Sequence, residues 1–258
     1  MKIVCLVENT SVNDELQSEH GLSLYIETEK HKILFDMGQT DLFAENAKKL
    51  GVDLSEVDVA ILSHGHYDHG GGLKKFLEIN KRVPVYISKY AFESYYNGTE
   101  KYIGLDVSLC ESKRIVYTDN VIEIAEGLTL YHCNDRAKSY DLGSFGLNKL
   151  EENEFVPDDF LHEQYLCIEE NGKKVLISGC SHKGILNIVE WFKPDVLIGG
   201  FHFSKLPLDE TLERYAKILD NYDTAYYTCH CTGEAQYQFM KKWMSRLSYV
   251  SVGDIIGI

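Results

Sequence analysis

Short β-branched runs interleave with helix-patterned segments but keep no strict strand-helix-strand rhythm, and this predicts a layered α/β protein with at least one mixed sheet. No internal repeat, low-complexity tract or Pro/Gly/Ser-rich linker interrupts the 258 residues, and only four prolines occur, so a single domain over 1–258 is the economical expectation. The opening is β-rich: Ile3–Val7, then Ser23–Glu27 and Lys32–Phe35 around a polar Lys30-His31 turn that reads as a hairpin. Asp41–Leu50 carries helical spacing of Leu42, Phe43, Ala47 and Leu50 with a Gly51 stop, and Val57–Leu62 follows as a buried strand. A helix is expected over about 71–79 and a strand over 83–88, with the aromatic stretch Tyr90–Tyr96 also read as helical. Strands are expected at 114–118, 129–133, 164–169 and 174–178. The last third alternates cleanly: helix 184–192, strand 195–198, helix 208–221, strand 225–228, helix 234–247, strand 249–252. Between them Ala137–Asp159, with Gly143, Gly146 and Pro157, reads as a long loop of the kind that often forms an active-site lid.

Composition narrows the function classes. Forty acidic residues against 26 basic ones give a formal charge of −14, and no Lys/Arg cluster is present, which argues against coating of a phosphate backbone and so against a nucleic-acid partner. The N-terminal apolar run is too short for a signal peptide and no run approaches membrane-spanning length, so no membrane partner is expected and the chain reads as cytoplasmic. Its seven scattered cysteines fit a reducing compartment, where thiols serve as core residues, ligands or nucleophiles. A chain of this size buries roughly three quarters of its unfolded surface, so it needs no metal merely to fold, and any metal it binds is there for chemistry.

The informative stretch is Ser63-His64-Gly65-His66-Tyr67-Asp68-His69-Gly70-Gly71-Gly72, with three imidazoles and a carboxylate inside six residues. A strand ending in a tight turn aims alternate residues at one point, so His64 and His66 suit one ion and Asp68 and His69 a second. Neutral imidazole and carboxylate are the ligands zinc favours in catalytic sites, and Gly70 to Gly72 let backbone pass close by. Later strand ends supply further donors: Cys180 and His182 in Gly179-Cys180-Ser181-His182, His202 in Gly199-Gly200-Phe201-His202, and His230 between Cys229 and Cys231. Strand ends are where α/β sheets collect ligands. Asp36 is a candidate to orient a ligand imidazole, and His202 to bind substrate or donate a proton. His20, Arg136, Lys138 and Lys205 are weaker candidates for an anionic substrate, while Cys5, Cys110, Cys133 and Cys167 read as core.

His64-Gly65-His66-Tyr67-Asp68-His69 resembles the HxHxDH signature of the metallo-β-lactamase-fold hydrolases, and the resemblance extends over essentially the whole chain. Phe35-Asp36-Met37-Gly38 looks like the family's early aspartate-glycine element, Ser178-Gly179-Cys180 occupies the place of its strand-end acidic motif, and His230 is similar to its last histidine ligand. The segments 179–182, 199–202 and 230–233 are similar to the branch named for dihydropteroate-synthase-like enzymes. The resemblance implies an α/β fold of the αββα sandwich type, two mixed sheets flanked by helices, with a dinuclear metal centre at one edge. It implies two divalent ions as cofactors, zinc ahead of iron or manganese, held by His64, His66, Asp68, His69, Cys180, His182 and His230. Most relatives carry aspartate where this chain has Cys180; His182 is favoured as the third ligand of the first metal, His162 is its rival, and Cys180 is a ligand of the second. The implied activity is metal-assisted hydrolysis of a small, anionic phosphoester or carbonyl ester, with Asp68 orienting the water and His202 beside the substrate. A synthase joining a pterin diphosphate to an aromatic ribosyl amine, or a low-turnover metal-containing ligand sensor, are the alternatives.

Overall fold

The computed structural model describes all 258 residues. They group into two compact units, one of Met1–Asp119, Gly146–Gln164 and Ser251–Ile258, the other of Asn120–Phe145 and Tyr165–Val250.

The first unit is built on a seven-stranded mixed sheet in the order Ile255–Gly257, Lys2–Val7, Ser23–Glu27, Lys32–Phe35, Val59–Ile61, Val85–Ser88, Ile115–Thr118. The first three pairings are antiparallel and the last three parallel. Parallel strands need crossovers, which is what the helices Leu42–Lys49 and Leu73–Ile79 provide. Leu42–Lys49 turns Leu42, Phe43, Asn46 and Ala47 inward, so its sequence stripe becomes its packing face, and it ends before Gly51 at φ +72. A separate four-stranded antiparallel sheet runs Glu154–Pro157, Leu147–Glu151, Tyr95–Asn97, Lys101–Tyr102. Tyr95, Ile103, Leu147 and Phe160 form its own small core, with Tyr67 of the His-rich turn packed against it.

The second unit is a seven-stranded mixed sheet in the order Leu247–Tyr249, Ala225–Thr228, Val196–Gly199, Lys173–Ile177, Tyr165–Glu170, Leu128–Tyr131, Val121–Ala125. The first four strands are parallel and the rest antiparallel. Ile185–Phe192 is apolar nearly all round and buries six of its eight residues, as a helix pressed into a core must. Glu210–Asp220 is amphipathic instead, capped by Asp209 accepting from the amides of Thr211 (2.9 Å) and Leu212 (3.4 Å).

Mixed sheets flanked by helices are the class the sequence predicted. Three local expectations are corrected. Tyr90–Tyr96 is not helical, because Tyr95 and Tyr96 pair with Lys149 and Asn148 across a ladder. Part of the 137–159 loop is the hairpin Leu147–Glu151 and Glu154–Pro157. The helix from 234 stops at Met240, and the last strand of that unit is Leu247–Tyr249 rather than 249–252. No helix is long and apolar enough to cross a membrane.

One buried amide ties the helix Leu73–Ile79 to its neighbours. Asn80 donates through Nδ2 to the carbonyls of Leu54 (3.2 Å), Ser55 (3.3 Å) and Val57 (2.9 Å). Its Oδ1 accepts from the amides of Arg82 (3.0 Å) and Val83 (3.1 Å). Truncation strands these groups away from water, so Asn80→Ala is expected to cost roughly 2–3 kcal/mol, read as a lowered urea midpoint, with metal content unchanged.

Candidate functional site

In the first unit the parallel pairing of Lys32–Phe35 with Val59–Ile61 brings two strand ends side by side, one leading into Asp36 and the other into Ser63 and His64. Asp36 is fully buried and left-handed at φ +61, a conformation disfavoured for a residue with a Cβ. Its Oδ1 accepts from the Ser63 amide (2.7 Å), and its Oδ2 accepts from Ser63 Oγ (2.7 Å) and His69 Nδ1 (2.7 Å). An ionised carboxylate only accepts, so His69 carries its proton on Nδ1 and presents the Nε2 lone pair. Ser63 Oγ spends its hydrogen on Asp36 and therefore accepts from His64 Nδ1 at 2.8 Å, which puts the His64 lone pair on Nε2 too. One carboxylate thus fixes the tautomer of two imidazoles, as metal-ligating histidines require. Gln164 clamps the same strand end, donating to Leu62 O (2.7 Å) and accepting from Thr118 Oγ1 (2.7 Å).

The three imidazoles of the motif are buried and adjacent, with ring centroids 4.6 Å apart for His64 and His66 and 4.2 Å for His64 and His69. Burial lowers the His66 pKa, favouring the neutral, ligand-competent ring. Asp68, at the start of the short helix Tyr67–Gly70, keeps 13% of its side chain exposed and faces His20 Nε2 at 3.2 Å. The loop bearing His20 comes this close because Gly21 lacks a Cβ, which would stand 2.4 Å from the Asp68 carbonyl oxygen.

His162 is placed differently from its expected role as a rival ligand. Its Nδ1 accepts from the Gly65 amide at 2.8 Å, so Nε2 carries the proton and points to Asp158 Oδ2 at 3.1 Å. Both ring nitrogens are committed, and the histidine serves to hold the turn between His64 and His66. Burial alone would raise the Asp158 carboxyl, but His162 and His66 outweigh it and hold the group far below the usual carboxylate range. Tyr95 covers His162 with ring centroids 4.0 Å apart.

In the second unit, Cys180, His182, His202 and His230 follow three adjacent parallel strands, Lys173–Ile177, Val196–Gly199 and Ala225–Thr228. Ser181, His202 and His230 are left-handed at φ +59, +56 and +49, so each strand end turns through a residue that carries a side chain where glycine would be easiest. The His182 and His202 rings lie 4.3 Å apart. Cys231 is a site residue the sequence reading passed over: burial opposes its ionisation, but hydrogen bonds with Cys180 and His202 prevail and hold the thiol well below its ordinary value. Arg136 and Lys205 are occupied structurally, Arg136 Nη1 donating to Trp191 O and Lys205 Nζ to Phe145 O.

Buried, neutral imidazoles with fixed tautomers, a carboxylate and thiols form a donor set that fits divalent cations. His-rich groups at the strand ends of a mixed α/β chain are an arrangement that can hold metal ions. The model of the metallo-beta-lactamase superfamily matches residues 18–230, and the chain belongs to that family. It is 31% identical over 267 residues to an uncharacterized protein of Methanocaldococcus jannaschii, covering 99% of this chain and 100% of that one. It is also 31% identical over 285 residues to the 7,8-dihydropterin-6-methyl-4-(β-D-ribofuranosyl)-aminobenzene-5′-phosphate synthase of the same organism, covering 99% and 96%. The crystal structure of a metal-dependent hydrolase of the β-lactamase superfamily matches with a TM-score of 0.84 at 28% identity, covering 100% of this chain and 99% of that one.

Replacing Asp36 by Asn puts an amide donor opposite N–H or O–H groups, so metal affinity is expected to fall 10- to 100-fold, read by competition with a chromophoric chelator, while the circular dichroism is kept. His162→Ala is expected to leave metal stoichiometry intact and to lower the melting temperature, since the variant loses a buried hydrogen-bond bridge and not a ligand.

Proposed function

We propose that this chain is a metal-dependent hydrolase of a small anionic ester, a phosphoester ahead of a carbonyl ester. The observation that carries the reading is the Asp36 carboxylate, which orients two buried imidazoles, His69 directly and His64 by way of Ser63 Oγ. In this reading His64, His66, Asp68 and His69 are the donors of the first unit, and His182 and His230 stand as donors at the strand ends of the second, for divalent ions, zinc ahead of iron or manganese because imidazole dominates the set. Bound there, such ions supply Lewis acidity toward an ester oxygen and draw the pKa of water toward neutrality. The chain's own contribution is positional. The buried rings of His64 and His69 are held rigid through Asp36. Asp68, partly exposed and facing His20, is the carboxylate that would accept a hydrogen bond from the attacking water and orient it. The likeness to a solved metal-dependent hydrolase over the full chain supports the hydrolase reading.

A second reading is supported by the identity with a synthase over nearly the whole chain: coupling of a pterin diphosphate to an aromatic ribosyl amine, with the departing diphosphate as the anion. Product analysis in 18O-labelled water separates the two, since hydrolysis places the label in the product and coupling gives a joined pterin. Asp68→Asn is expected to lower turnover roughly 10²- to 10⁴-fold with the fold retained, and His64→Ala to lose metal as well. Full activity in both variants would overturn the assignment. Full metal occupancy without turnover on a phosphoester, thioester and lactone panel would support a ligand sensor instead.

A further inference from the structure

We propose that the strand Ile115–Thr118 is the contact through which two copies of this chain pair, edge to edge and antiparallel, about a two-fold axis at Val116. The strand lies at one side of the first unit's seven-stranded sheet and is paired on one flank alone, with Val85–Ser88. That pairing fixes which backbone groups look inward: the carbonyls of Arg114 and Thr118 accept from the amides of Val85 (2.8 Å) and Lys89 (3.0 Å). Backbone groups alternate in direction along a strand, so the carbonyl of Ile115 and the amide and carbonyl of Tyr117 face outward. The Ile115 amide is taken by Ser112 O at 3.0 Å. Val116 is 39% exposed and Tyr117 46%, within Ile-Val-Tyr-Thr, a run of strong strand formers.

Soluble proteins blunt the outer strands of their sheets, because an open row of amides and carbonyls recruits other chains. The other outer strands here are blunted. Glu123 stands at the centre of Val121–Ala125, and Lys241 Nζ donates to the outer strand Leu247–Tyr249 at the Leu247 carbonyl. Ile255–Gly257 is three residues long and ends in glycine, Glu154–Pro157 holds a charge and a proline, and Lys101–Tyr102 is two residues led by a lysine. Ile115–Thr118 contains no charge, glycine or proline.

The sequence around the strand is complementary to itself, which is what a two-fold contact demands. Antiparallel pairing about Val116 sets Val116 against its own copy, Ile115 against Tyr117, Arg114 against Thr118 and Lys113 against Asp119. The Tyr117 amide then donates to the Ile115 carbonyl of the other copy, twice by symmetry. β-Branched and aromatic side chains directly opposite one another stabilise a ladder, as do opposite charges. Two chains of formal charge −14 repel at long range, and the two Lys113–Asp119 pairs oppose that repulsion at the contact itself. Asp119 is held in place by Lys89 at 2.5 Å, and Lys113 is exposed. Slipping the register by two residues sets Glu111 against Asp119 in one direction and Asp119 against Ile115 in the other, so the charges also specify the alignment.

The inference goes beyond the hydrolase reading and does not rest on it, because no metal-ligand candidate lies on this strand. Sedimentation velocity of the full chain from about 1 μM to about 1 mM, a range that spans small interfaces, is expected to show a reversible monomer–dimer equilibrium. Val116→Lys places like charges on the axis, and Lys113→Glu opposes two carboxylates at each end. Each is expected to weaken the dimer roughly 10-fold or more with unchanged circular dichroism. Asp119→Lys should weaken it likewise, and an equimolar mixture of Lys113→Glu and Asp119→Lys should recover a mixed dimer, since both charge pairs are then restored. Val116→Cys needs no charge change: its two copies would face each other with Cα atoms about 4.5 Å apart, within disulfide reach, so mild oxidation should link them. A wild type that stays monomeric throughout, or a Val116→Lys protein that dimerises at wild-type strength, overturns the proposal. So does a mixture of the two charge variants that stays monomeric, or a Val116→Cys protein that forms no linked dimer.

Discussion

A single buried carboxylate sets the terms for the first unit. Asp36 has no exposure, and removing an ionised carboxylate from water is tolerable only when strong donors replace the solvent. Three do, two from Ser63 and one from His69. The compensation also positions the site, because each donor that satisfies the charge is thereby locked in place. The pairing register of Lys32–Phe35 with Val59–Ile61 decides whether the Ser63 amide meets Oδ1, so sheet geometry and imidazole chemistry are one constraint. The left-handed backbone at Asp36 is accepted because it turns the carboxylate toward Ser63.

The second unit reaches a similar end by other means. Three parallel strands deliver their C-terminal loops to one edge of the sheet, where Gly199 and Gly200 provide clearance and Ser181, His202 and His230 turn the chain with side chains attached. Thr232 Oγ1 accepts from the Phe201 amide at 2.8 Å, tying two of these loops together. Glycine at the turning positions would relieve the backbone but remove the imidazoles.

How much of this was legible in the sequence follows from the range of each interaction. The His64 to His69 motif was visible because its residues are close in sequence, and Asp36 as a partner of a ligand imidazole was visible because a motif residue of the right chemistry stood at a strand end. The tie between His162 and the His-rich turn was hidden because it runs through the Gly65 amide, 97 residues away. The four-stranded sheet was hidden for a different reason. Lys149 points inward on Leu147–Glu151 and is neutralised by Glu151 (2.6 Å) and Asp159 (2.8 Å), so an inward position reads as a solvated one. Cys231 stood in plain view, but only the folded chain brings it to Cys180.

The sheet of the first unit mixes very short and very long chain closures. The His-rich turn hangs on Val59–Ile61, whose neighbours Lys32–Phe35 and Val85–Ser88 lie within thirty residues on either side, whereas Lys2–Val7 meets Ile255–Gly257 across nearly the whole sequence. Closing a loop of that length carries an entropic cost that the short crossovers avoid. By topology, therefore, the His-rich turn belongs to the part of the sheet closed by short connections, which can form early in refolding, and the seam between the first and last strands to the part closed by the longest. A cation present in the medium would then meet its imidazoles before the unit is complete, making metal availability a factor in the folding route as well as in the finished protein.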